Sequence, residues 1–126
     1  MTSTTDLASG RRNALGRYGE RVAALHLTDL GMIVLDRNWR CDTGEIDLVL
    51  RDGDVLVVCE VKTRSSDACG TPHEAVDAAK LDRLKRLGVR WAEEHGVHPA
   101  EMRIDLVAVH PRPRGSALVE HVPGLL

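Results

Sequence analysis

Two carboxylates and an amine, those of Asp47, Glu60 and Lys62, are the side chains of this sequence best suited to handling a cation and a water together. Two carboxylates brought to one side of a strand pair can close on a divalent cation. Mg²⁺ in particular takes only one or two protein carboxylates and leaves its other positions to water and phosphate. A lysine beside them would position the attacking water. Glu60-Val61-Lys62 alone says little, because charged residues alternate on many exposed strands. Its meaning depends on where the surrounding elements put it.

Glu45–Arg51 and Asp54–Thr63 are rich in β-branched and aliphatic residues, and Asp52-Gly53 between them suits a tight type I′ hairpin turn. With that pair as the loop, Arg51 faces Asp54, Leu50 faces Val55, Asp47 faces Val58 and Glu45 faces Glu60. Side-chain alternation then puts Glu45, Asp47, Val49, Leu56, Val58, Glu60 and Lys62 on one face, and Ile46, Leu48, Leu50, Val55, Val57 and Cys59 on the other. The second face is wholly apolar. The first is apolar near the turn and ionic at its far end, with Asp47 and Glu60 as diagonal neighbours. Directly opposed Glu45 and Glu60 would repel unless a positive group, Lys62 or a cation, sat between them.

Helical spacing of Leu15, Tyr18, Val22 and Leu25 gives a first helix from Arg12 to Leu30, stopped by Gly31, and Met32–Trp39 reads as a strand. Residues 1–10, Thr- and Ser-rich with a single Leu, read as a flexible tail ahead of one domain over residues 11–126. Thr71-Pro72-His73-Glu74 has the composition of a capping box and opens a second helix that runs to about His95, before Gly96. Met102–Val109 is a buried strand, Pro111–Gly115 a connection and Ala117–Val122 an edge strand. The expected fold is α/β, a mixed sheet flanked by helices in the order α-β-β-β-α-β with a last short strand.

Of the 126 residues 43% are hydrophobic, enough for one core, but with no Phe, one Tyr and two Trp there is little to stack bases on. A net charge of −2 excludes a broadly basic nucleic-acid surface and confines phosphate contacts to local patches. Cys41, Cys59 and Cys69 lack paired metal or redox spacing and read as reduced thiols. No apolar run reaches the ~18 residues of a membrane span, and the first ten residues lack the order of a secretion signal. The cytosol is the expected location.

Gly44-Glu45-Ile46-Asp47-Leu48 and Val57-Val58-Cys59-Glu60-Val61-Lys62-Thr63-Arg64 together resemble the bacterial YraN-like family of predicted endonucleases. That family belongs to the restriction-endonuclease-like superfamily, with Holliday-junction resolvases as small relatives. The resemblance extends through Gly16, Gly19 and Glu20, Lys80 and Arg103-Ile104-Asp105, across about residues 12–122. It implies a restriction-endonuclease-like fold and an Mg²⁺- or Mn²⁺-dependent nuclease acting on DNA, branched DNA included. Asp47 and Glu60 would hold the metal, and Lys62 would act on the water.

Glu20 has Gly16, Ala23, Ala24 and Leu27 at neighbouring helical positions. This small-residue face can approach the sheet, and the superfamily often draws an extra acidic ligand from such a helix. An ion pair with Arg17 is the plainer alternative. Lys80 matches the family as a DNA contact. Arg64 shares the strand parity of Lys62 and suits a phosphate, or else a solvated strand end. Asp105 alternates with buried residues and is expected to pair with Arg103, outside the site. The near-neutral charge also fits a second reading, a catalytically inactive nuclease-fold module that binds nucleic acid or serves as an adaptor. The sequence leaves a homodimer open.

Overall fold

Three successive strands with apolar side chains on both faces need cover on both sides, and two helices provide it. The computed structural model describes residues 4–64 and 76–125, with side chains from residue 14 onward. Its elements are α1 (Thr4–Asp29), β1 (Ile33–Cys41), β2 (Gly44–Asp52), β3 (Val55–Thr63), α2 (Ala78–Glu94), β4 (Glu101–His110) and β5 (Leu118–Val122). The five strands form one sheet in sequential order. β1, β2 and β3 are an antiparallel meander, β4 runs parallel to β3 after the α2 crossover, and β5 returns antiparallel to β4. The order α-β-β-β-α-β-β and the mixed sheet agree with the sequence expectation. Among the described residues no helix is long and apolar enough to cross a membrane.

Four local expectations are corrected. α1 starts at Thr4 rather than at Arg12. Once a helix is nucleated each further residue adds a hydrogen bond at little cost, and Leu7, Ala8, Arg11 and Arg12 are good helix formers. α2 starts at Ala78, where the Asp77 side chain accepts a hydrogen bond from the Lys80 N–H at 2.8 Å. The capping box read at residues 71–74 lies outside the described residues.

The hairpin turn also differs from the expected one. Its loop is Gly53-Asp54, because Asp52 pairs with Val55, Arg51 with Leu56 and Leu48 with Cys59. Gly53 has φ +60 and Asp54 is not in the positive-φ region, the pattern of a type II′ turn with Gly first, whereas type I′ needs two positive values. The register moves by two residues, so Val49 rather than Asp47 faces Val58, while the strand parity of each side chain is kept.

Last, strict alternation fails: β1 shifts register between Val34 and Asp36, and a second break changes which layer the strands serve near the site. Leu48, Leu50, Val57 and Cys59 pack with Ala23, Ala24 and Leu27 of α1. Val49, Leu56 and Val58 pack with Leu81, Leu84, Leu87 and Trp91 of α2. Ile46, expected with Leu48 and Leu50, lies instead in the α2 layer, together with Trp39 of β1. Between the pairs Arg37–Leu48 and Trp39–Ile46 stand Asn38 and Asp47, and Asn38 has φ +51. Asparagine tolerates that left-handed backbone better than most residues. Both strands change face there.

The helices sit close to the sheet because two glycines allow it. A Cβ on Gly19 would stand 1.7 Å from Thr63 Oγ1, and one on Gly88 would meet Met102 Sδ at 2.5 Å and Val58 Cγ2 at 2.7 Å. In contrast, a Cβ on Gly16 meets nothing within 4 Å. Gly16→Ala is therefore expected to gain about 0.5–1 kcal/mol of stability from helix propensity. Gly88→Ala should lose about 1–3 kcal/mol because overpacking outweighs that gain. Urea denaturation of the two variants checks the opposite signs.

Candidate metal and phosphodiester site

Where the β2–β3 ladder ends, the two strands part and an Asp fills the gap. The last registered pair is Leu48–Cys59, and just beyond it the Asp47 carboxylate accepts the Val61 N–H at 2.8 Å. A side chain thus takes the acceptor role that a strand carbonyl would otherwise fill. Glu60, next to Val61, is buried, its side chain only 10% exposed. One of its oxygens, Oε1, receives Lys62 Nζ at 3.3 Å and Lys80 Nζ at 2.9 Å. Two lysines from different elements thus share one carboxylate oxygen.

Asp47, Glu60, Lys62 and Lys80 line an open cavity of about 530 Å³ between the ends of β2 and β3 and the first turns of α2. Arg40, Cys41, Gly44, Glu45, Arg83, Leu84 and Leu87 complete the wall. Glu45 is paired with Arg40 at 3.0 Å and does not oppose Glu60. The expected repulsion between those two glutamates is removed by the corrected register.

Burial pushes the Asp47 carboxyl up to about 7, helped by the negative charges of Glu60, Glu20 and Glu45 and resisted by the Val61 hydrogen bond. Lys80 is affected in the opposite sense: burial works against its charge, but the hydrogen bond and charge of Glu60 outweigh it and its pKa is raised. The cavity therefore concentrates carboxylates that are uneasy with one another and balances one of them with amines.

Asp47, Glu60 and Lys62, drawn from the sequence as one site, face one cavity. Lys80, read from the sequence as a DNA contact, is drawn into the carboxylate cluster itself. Glu20 is half-buried on α1, beside the close approach of Gly19 to Thr63. Its charge acts on Asp47, but it does not line the cavity. Arg64 follows β3, donates its N–H to the Val109 carbonyl at 2.9 Å and is likewise not in the cavity wall.

Sequence reasoning left out Arg40, Cys41 and Arg83 as wall residues. Only the helical spacing of Arg83 three residues after Lys80 could have signalled any of them. Cys41 and Cys59 are free thiols, and Cys69 lies outside the described residues. Cys41 Sγ lies 3.2 Å from Thr43 Oγ1, which lowers its pKa.

Among the described residues no three His, Cys, Asp or Glu side chains converge into a ready-made metal cage. Two carboxylates at the base of an open cavity suit a hard cation that keeps water and phosphate as its remaining ligands, which is the habit of Mg²⁺.

Residues 19–109 match the family described as Uncharacterised protein family UPF0102. The chain belongs to UPF0102. This is the YraN-like family that the motifs around Asp47 and Glu60 resemble. The chain is 58% identical over 122 residues to a UPF0102 protein of Nocardioides sp., covering 97% of this chain and 98% of that protein. A UPF0102 protein of Kineococcus radiotolerans is 58% identical over 115 residues, covering 90% of this chain and 94% of that one. A third, from Streptomyces coelicolor, is 57% identical over 116 residues, with 90% and 89% covered.

Among solved structures, Pyrococcus furiosus SfsA in complex with Ca²⁺ aligns with a TM-score of 0.33 and 13% identity, over 90% of this chain and 64% of that one. Within the UPF0102 match lie Glu20, Asp47, Glu60, Lys62, Arg64, Lys80 and Arg83.

The raised pKa of Asp47 has a measurable consequence for the metal-free protein. Because the folded-state value of about 7 lies above the ordinary 3.8, the folded state holds the proton more tightly than the unfolded chain. Asp47 therefore detracts from stability progressively as pH rises between those values and fully above about 7. Asp47→Asn keeps an oxygen for the Val61 N–H but cannot ionise. In chelator, its stability advantage over the parent is expected to widen by about 1–2 kcal/mol from about pH 5 to about pH 8, after discounting for solvent screening. Denaturant unfolding at the two pH values measures it, and a gap that stays constant would refute the raised pKa.

Proposed function

We propose that this UPF0102 protein is a metal-dependent endonuclease that hydrolyses phosphodiester bonds of DNA, branched DNA included. The observation that carries the reading is the pairing of Asp47 and Glu60 in one open cavity with Lys62 Nζ 3.3 Å from Glu60 Oε1. Asp47 and Glu60 would hold Mg²⁺ or Mn²⁺, with Glu20 adding negative charge from α1. When bound, that ion would neutralise the carboxylates, polarise the phosphoryl group and make water more acidic.

Lys62 donates hydrogen bonds only, so its part is to hold the attacking water and the phosphate oxygens beside the carboxylates rather than to remove a proton. In hydrolysis the water oxygen bonds to phosphorus, the phosphorus–ester oxygen bond breaks, and the departing oxygen leaves protonated. Lys80, 2.9 Å from Glu60, and Arg64, at the end of β3, are assigned to phosphates of the bound strand. Fixing the reacting groups in one charged cavity lowers the barrier because their orientation is set before reaction.

Two variants separate the roles. Mn²⁺ or Mg²⁺ should raise the melting temperature of the parent. Lys62→Ala should keep that rise while losing cleavage about a hundredfold or more. Glu60→Gln should lose both, and Asp47→Asn most of the melting shift. Cleavage is assayed on linear duplex, single-stranded and four-way-junction DNA with each metal and with chelator. If the parent cleaves none of these with either metal, or Lys62→Ala cleaves as well as the parent, the chain is instead an inactive nuclease-fold module.

A further inference from the structure

Counting charges around the cavity singles out one residue. Its wall carries three carboxylates, Glu45, Asp47 and Glu60, and four cations, Arg40, Lys62, Lys80 and Arg83. Lys62 and Lys80 are engaged with Glu60, and Arg40 with Glu45. Arg83 makes no ion pair or side-chain hydrogen bond among the described residues. Yet it lines the cavity one helical turn beyond Lys80, on the same side of α2.

A second feature secures its place. The Cδ of Arg83 and the methyls of Leu87 pass over Gly44, where a Cβ would stand 3.7 Å from Arg83 Cδ and 3.2 Å from Leu87 Cδ1. The bare glycine at the β1–β2 turn leaves the channel in which the arginine stem runs. On the same helix, Arg86 is paired with Asp82, and Arg90 with Asp42 and Glu94. Of the arginines on α2, Arg83 alone is left without a carboxylate partner among the described residues, and it is the one that lines the cavity.

We propose that Arg83 is the anchor for a backbone phosphate next to the one at the carboxylates, so that a nucleic-acid strand is held by Arg83 and Lys80 along the first turns of α2 whether or not metal is bound. The proposal rests on reading the cavity as a phosphodiester site. The cavity wall is formally one charge positive in a chain that is two charges negative overall, so an anion entering from solvent is drawn to this place rather than to the surface at large. Guanidinium presents two parallel N–H donors to a phosphate, which an ammonium does not.

The test is equilibrium binding of fluorescein-labelled single-stranded and duplex DNA oligonucleotides to the whole chain in chelator, over a series of salt concentrations. Arg83→Ala should weaken binding about tenfold and reduce the slope of log affinity against log salt by about 0.7–0.9, the loss of one phosphate contact. Arg83→Gln, which keeps most of the stem beside Gly44, should behave like Arg83→Ala. Arg83→Lys should keep the slope and lose part of the affinity. Arg86→Ala, on the same helix but outside the cavity, should bind as the parent does.

Unchanged binding by Arg83→Ala and Arg83→Gln, an equal loss in Arg86→Ala, or no DNA binding by the parent would overturn the assignment. The expected binding pattern in a parent that cleaves nothing supports the anchor and refutes only the nuclease reading.

Discussion

The hydrogen bond from the Val61 N–H to the Asp47 carboxylate is the contact on which the site depends. β2 and β3 pair cleanly from their turn to Leu48–Cys59, then diverge, and parted strands inside a covered sheet leave backbone donors in need of an acceptor. Asp47 meets that need and in doing so is fixed beside Glu60. The same parting opens the cavity. A carboxylate tied to the backbone cannot swing out to water to relieve its own burial, which is why its pKa rises despite the hydrogen bond it accepts.

The face change at Asn38 and Asp47 gives this arrangement its direction. Had β2 kept strict alternation, Ile46 would have joined Leu48 and Leu50 under α1, and the α2 layer would have ended at Val49. Instead Ile46, Trp39 and Cys41 pack with the α2 residues and close the floor beneath the ionic end. The apolar contacts of Leu84 and Leu87 then hold α2, with Lys80 and Arg83 on its next turns, against that floor. Burial of these leucines, at roughly 1.5–3 kcal/mol each, is what keeps positive side chains over the carboxylates.

Most of this was legible in the sequence because its periodicities are strong. The two β-rich runs around Gly53, the helical spacing from Leu81 to Trp91 and the alternation after Met102 each indicate one element, and the parity of Glu60 and Lys62 follows from a period of two. What was not legible depended on single backbone angles or on long-range contact. Asp52-Gly53-Asp54 contains two plausible loop pairs, and only the positive φ of Gly53 alone chooses between them. The face change needs Asn38 at φ +51, and nothing in the local composition of Asp36–Arg40 demands it. Lys80 and Arg83 come near Glu60 through the α2 crossover, and the separation along the chain carries no periodic signal for that meeting.

Two acids near the centre of the sheet show what distinguishes a structural carboxylate from a reactive one. Asp105 on β4 is fully buried, yet its oxygens take Arg103 Nε at 2.8 Å and Nη2 at 3.2 Å, His121 Nε2 at 2.8 Å and the Gly124 N–H at 3.0 Å. Burial alone would raise its pKa, but these partners outweigh it and the net shift is downward. Its charge is spent in binding β5 and the following segment to the sheet, and it has no lone pair facing an open space. Asp47 has a single hydrogen bond among the described residues, like-charged neighbours and a cavity before it, and its pKa moves the other way. The fold thus satisfies one buried acid completely and leaves the other in need of a positive partner. An incompletely satisfied carboxylate in the wall of an open cavity has room for a partner from outside its own chain, which Asp105 does not.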